Sequence, residues 1–162
     1  MSRRWRDRRR HDPAVPVPAE RADGGRRYRM SLASSWAAAK VVRRITVTVL
    51  TSWRVPPGST VHDAAVFAVT ELTTNVVRHA APQSPFFELL LTVTDSHVEV
   101  GVRDSHPGLV EHPEPGAVGG LAVVADLAHH LGGALAIRPD PGGGRTVCVL
   151  LPLAPPLGHR RH

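Results

Sequence analysis

The chain has 162 residues, 42% of them apolar, enough for one globular domain that buries roughly 70% of its unfolded surface. Its single cysteine, Cys148, excludes an internal disulfide framework, and no apolar run approaches the ~20 residues of a bilayer span, so a cytoplasmic protein is expected. The formal charge of +6 points to nucleic acid only until it is located: residues 1–30 hold ten arginines against four acids, and the remaining residues balance.

In chain order, "SRRWRDRRRHDPAVPVPAERADGGRR" joins arginine clusters to Pro13, Pro16 and Pro18 without apolar periodicity, which predicts a disordered tail over residues 1–30. The clusters could dock on nucleic acid or an acidic membrane surface, or form a solvated extension; the extension is favoured, and no direct nucleic-acid partner is expected. "PAVPVPA" is too short and proline-broken for the apolar stretch of a secretory signal.

"RYRMSL" predicts a short strand, and "SSWAAAKVVRRITVTVLTSW" a helix opened by Ser34 or Ser35 and closed by "RVPPGS". A second helix is predicted from about Val61 to His79, with Thr60 and Asp63 spaced as a variant capping box and "AAPQSP" as terminator. "FFELLLTVTDSHVEVGVRD" has two apolar runs about the turn Asp95-Ser96, a β-hairpin signature. The sixteen residues "SHPGLVEHPEPGAVGG" are too long for an ordinary connection and predict a functional loop or lid. "LAVVADLAHHLGG" then reads as a helix, and "ALAIRP", "DPGGG" and "RTVCVLLPL" as a closing hairpin. Strand, two helices, hairpin, lid, helix and hairpin give an α+β two-layer sandwich, its mixed, mostly antiparallel sheet covered on one face by helices. The domain spans residues 31–153, followed by a flexible tail over 154–162.

Within the second helix, "ELTTNVVRHA" places Glu71, Asn75 and His79 four residues apart. At about 100° per residue, Asn75 lies at about 40° from Glu71 and His79 at about 80°, bordering the apolar arc of Leu72, Val76, Val69 and Ala65. Groups in that position either mark the edge of a surface helix or line a cleft. In a cleft, a carboxylate and a carboxamide one turn apart can position a hydrated Mg²⁺ and the phosphates it carries.

The rest of the chain favours the cleft. Glu-x-x-x-Asn-x-x-x-His-Ala at 71–80 resembles the N-box of the GHKL (histidine-kinase-like) ATPases, and within them the bacterial anti-sigma-factor serine/threonine kinase group. Upstream, "VVRRITVTVL" is similar to an Ala-Arg-Arg helix of that group. "VEVGVRDSHPG" resembles the G1 box, in which Asp104 would accept a hydrogen bond from the adenine amino group, with Gly108 following it. "VGGLAVVADLAHHLGG" is similar to the Gly-x-Gly-Leu helix, so Gly119, Gly120 and Leu121 would meet phosphates at a helix N-terminus. "GGGRTVCVLLPL" resembles the last box, which implies Gly144 and Thr146.

The resemblance, over about Ser31 to Leu153, implies the Bergerat-type ATP-binding fold, ATP and Mg²⁺ as cofactors, and Glu71 as catalytic base. It implies Asn75 as Mg²⁺ ligand, with His79 bonding at the helix end. The implied reaction is phosphoryl transfer to a serine or threonine of an antagonist (anti-anti-sigma) protein, with a sigma factor as the other partner and a homodimer as a possible assembly. Two departures stand out: Val118 replaces the first glycine of Gly-x-Gly-Leu, and Ser105, His106 and Pro107 intervene between Asp104 and Gly108. They keep open the alternative of a non-catalytic module acting by protein contact. A zinc site is not expected, because the histidines lack ligand spacing and cysteine pairs are absent.

Overall fold

The computed structural model of the chain describes residues 20–22, 24–108, 112–114 and 117–153. The elements run β1 (Glu20–Ala22), β2 (Gly25–Ala33), α1 (Trp36–Ser52), α2 (Thr60–His79), β3 (Phe86–Val93), β4 (His97–Asp104), α3 (Gly120–His130), β5 (Ala134–Pro139) and β6 (Arg145–Pro152). Six strands form one sheet in the order β1-β2-β3-β4-β6-β5. The expected α+β class holds. The sheet is not mixed, however: every described ladder is antiparallel, because α3 and the β5–β6 hairpin return the chain so that β6 runs against β4.

Successive strand side chains alternate between faces. Aligned rows such as Leu89–Val102–Val147 and Leu91–Val100–Val149 therefore fall on one face, and all six residues are buried. The helices cover that face: α1 packs on β2 and β3, α2 on β4 and β6, and α3 on β5 and β6. The β-branched second half of α1 is helical because Ala38, Val42, Thr46 and Leu50 form one buried stripe at four-residue spacing, and the Thr46 hydroxyl donates to the Val42 carbonyl at 2.8 Å.

Two further expectations are corrected. The tail predicted over residues 1–30 ends too late, since β2 starts at Gly25 and pairs with β3 from Arg26↔Val93 to Ala33↔Phe86. Alternation explains it: Tyr28 and Leu32 enter the core while Arg29 points to the uncovered face and meets Glu88 at 2.7 Å. Residues 1–19 and 154–162 of the two predicted tails lie outside the described residues. The cap of α2 also shifts by one position. Ser59 is the N-cap and accepts from the His62 amide at 3.3 Å, while Asp63 reaches back to the Gly58 amide at 3.3 Å.

The predicted β3–β4 hairpin is present about Asp95-Ser96, closed by Thr94 N–H donating to the His97 carbonyl at 2.9 Å. The β5–β6 turn uses Gly143 and Gly144 at φ 88°, which glycine adopts without the Cβ penalty.

Candidate functional site

The polar stripe on α2 opens partway along the helix. Its face is filled by buried Ala64 and Ala68 toward the N-terminus, then reaches half-buried Glu71 and Asn75 and ends at exposed His79. Leu72, Val76 and Val69 beside it are buried, so Glu71 and Asn75 border the core as their helical angle requires.

Gly120, the first residue of α3, lies against the Glu71 carboxylate: a Cβ at Gly120 would occupy the place of Oε2 and stand 3.2 Å from Cδ. The N-terminus of α3 thus faces Glu71, and its unsatisfied amides and positive dipole end favour negative charge there. Gly119 caps the helix at φ 126° and ψ 168°, a conformation essentially restricted to glycine. Val118 is fully exposed and stands clear of the stripe. Leu121 packs against the core and anchors the first turn of α3.

Asp104 ends β4 on the helix-covered face, in register with Phe87 and Arg145. Its Oδ1 accepts from the His106 amide at 2.8 Å and its Oδ2 from Arg145 Nε at 3.2 Å. Arg145 also donates to the Gly108 carbonyl at 2.9 Å, which ties the start of the predicted lid to β6. The Gly108 amide donates to His106 Nδ1 at 2.8 Å, so that nitrogen carries no proton and the ring is the Nε2–H tautomer. Gly144 is required by close approach as well as by its φ, because a Cβ there would collide with the Asp104 carbonyl oxygen and stand 3.0 Å from Ser105 Cα.

The structure therefore brings Glu71 to Gly120, and Asp104 to Gly108 and Gly144. It does not bring Thr146 to this face. Thr146 is in register with Arg103, and its hydroxyl donates to Asp140 Oδ1 at 3.3 Å while Arg103 holds Asp140 Oδ2 at 2.7 Å, all on the face opposite the helices. The residue delivered to Asp104 is Arg145. Sequence reasoning missed it, although a count of two along the strand from buried Val147 reaches Arg145 and not Thr146.

No group of three or more histidine, cysteine or carboxylate ligands able to hold a metal occurs among the described residues. No described helix is long and apolar enough to cross a membrane. A separate cleft of about 310 Å³, lined by Arg26, Trp53, Arg54 and Asp95 among others, lies by the β3–β4 turn at the far end of the sheet from Asp104.

Residues 60–155 match the family of histidine kinase-, DNA gyrase B- and HSP90-like ATPases, more than half of the chain, and the chain belongs to that family. No curated protein matches it. Among solved structures, it is similar to the histidine kinase domain of a blue-light-activated histidine kinase from Erythrobacter litoralis EL346, with 20% identity, 71% of this chain and 60% of that chain covered, and a TM-score of 0.41. It is also similar to the ATP-binding domain of PrrB from Mycobacterium tuberculosis, with 18% identity, 76% and 96% of the two chains covered, and a TM-score of 0.46.

Proposed function

We propose that the chain binds Mg-ATP and transfers the γ-phosphoryl group to a serine or threonine hydroxyl of an antagonist protein, and so controls a sigma factor. The observation that carries this reading is the seating of Glu71 against the N-terminus of α3 at Gly120, with Asn75 one helical turn further along α2.

The residues fit the nucleotide. Gly119 leaves open space at the start of α3 where phosphate oxygens would lie, while the space at Gly120 is taken by the Glu71 carboxylate. Asn75 is half-buried, and a single carboxamide suits Mg²⁺ that keeps several waters and bridges phosphates, whereas an all-protein metal cage is not available among the described residues. Asp104 offers the acceptor that an exocyclic amine needs. When bound, Mg-ATP supplies the phosphoryl group and the cation that neutralises its charge. With the nucleotide bound, Glu71 would take the proton of the acceptor hydroxyl and the α3 amides would hold the phosphates. Lys40, the only lysine, is exposed on α1, so positioning and backbone dipoles carry the reaction and turnover is slow.

One observation favours the second reading, an adaptor acting by protein contact alone. The Asp104 and Arg145 side chains are 2% and 8% exposed, so the acceptor is already paired. Calorimetric titration of Mg-ATP into the native chain and Asn75→Ala separates the two. Mg²⁺-dependent binding that collapses in the variant supports the nucleotide site, and phosphate transfer from labelled ATP to an antagonist protein then tests the kinase. No binding to the native chain sinks the kinase and leaves the adaptor.

A further inference from the structure

Asp104 is the carboxylate through which a purine would be read, and it is 2% exposed. A carboxylate has about four lone-pair positions, and here one on each oxygen is used, by the His106 amide and by Arg145 Nε. Capacity for another bond exists, but access does not. The cover is Arg145, which spans from Asp104 to the carbonyl of Gly108, together with the short turn from Ser105 to Gly108. The turn has its own bonds, since the Ser105 amide donates to the buried Ser84 hydroxyl at 2.9 Å and the Gly108 amide to His106.

We propose that Arg145 is a latch on the nucleobase pocket: its guanidinium must release Asp104 and Gly108 before a purine amine can take the carboxylate. The inference rests on the nucleotide-binding reading and names the residue that regulates that site. The backbone cannot perform the release. Asp104 and Arg145 are directly opposed in the β4–β6 ladder, and Gly144 is packed on the Asp104 carbonyl, so β6 is fixed where Arg145 leaves it. The release therefore falls to the side chain. Because one guanidinium holds both partners, its rotation uncovers the carboxylate and releases the Gly108 carbonyl in a single event. A binding-competent state that is only a fraction of the population weakens apparent affinity by that fraction.

The test is Mg-ATP titration into the full chain carrying Arg145→Met, which keeps the apolar stem and removes every donor, or Arg145→Lys, which keeps the charge but not the planar fork. Each is measured with and without Asn75→Ala, after a thermal melt confirms folding. With an open fraction of about one in ten, Arg145→Met binds about tenfold tighter than the native chain and Arg145→Lys falls between, both gains vanishing with Asn75→Ala. If Arg145→Met does not fold with its aspartate unpaired, tighter binding by Arg145→Lys is the supporting result and unchanged or weaker binding the refuting one. Equal or weaker binding by a folded Arg145→Met, while the native chain still binds through Asn75, overturns the latch and leaves the nucleotide site standing. Failure of both the native and the Arg145-substituted chains to bind overturns both.

Discussion

Glu71 is the half-buried carboxylate that meets the positive end of a helix, and its two neighbours set what it can do. Gly120, having no side chain, lets the carboxylate reach the helix end, and the Asn75 carboxamide stands one turn on. On the proposed kinase reading, replacing Glu71 by alanine lowers phosphate transfer by about 10²–10⁴-fold while Mg-ATP binding persists, as read by single-turnover transfer alongside calorimetry. Cys148 offers a contrasting case. It is buried under the sheet's uncovered face and its thiol is pushed above its ordinary 9.0, first by burial and then by Glu99, with Arg138 opposing. The native chain should therefore react slowly with a thiol reagent at pH 8 and promptly once unfolded. Because the folded value is raised, the stability due to the neutral thiol is complete below pH 9.0 and is lost as pH rises through the folded value. Melts from pH 8 to 11 should show a decline that is shallower in Cys148→Ala; an identical decline would remove the thiol from the account. The Tyr28 hydroxyl, raised from 10.0 by burial, adds to the same alkaline loss.

Helix α2 is the element on which stability and the site coincide. Ser59 caps it, and Ser59→Ala is expected to lower stability by about 1 kcal/mol in a denaturant titration. Thr73 is fully buried and its hydroxyl has no partner, unlike Thr70, whose hydroxyl donates to the Val66 carbonyl at 2.8 Å. Thr73→Val keeps the shape and removes the unpaired group, so it should raise stability by about 1 kcal/mol; a loss would mean the hydroxyl finds a partner in solution. Local pattern made much of α2 legible: the apolar arc, the polar stripe at its border and the serine-threonine start all stand in adjacent residues. The β3–β4 hairpin was legible for the same reason. β2 was legible only in its middle, over the strand predicted from "RYRMSL"; its start was not, because Arg26, Arg27 and Arg29 dominate it, and only pairing with β3 shows that Arg27 and Arg29 flank the core position of Tyr28. Thr146 and Arg145 were confused because the face each one takes is fixed by the β4–β6 register, which joins residues 41 apart. Alternation within β6 puts Arg145 on the face of Val147, but which face is the covered one is set by that register.

In the whole molecule, β2 does more than extend the sheet. It covers β3 and contributes Tyr28 and Leu32 to the core, each worth about 1.5–3 kcal/mol of burial, so a chain beginning at Ser34 should lose its cooperative melt in circular dichroism and aggregate through the bared β3 edge. A cooperative melt in that chain would show that the helices and four remaining strands suffice. The order of the sheet has a different consequence in time. Neighbouring segments build α1, α2 and the β3–β4 hairpin, whereas β6 must travel past α3 and β5 to dock on β4. Asp104 and Arg145 come into register only with that docking, so a half-folded chain lacks the proposed nucleobase pocket. Nucleotide would then do nothing for the speed of refolding and would instead slow unfolding, lengthening the lifetime of the native chain under a protease.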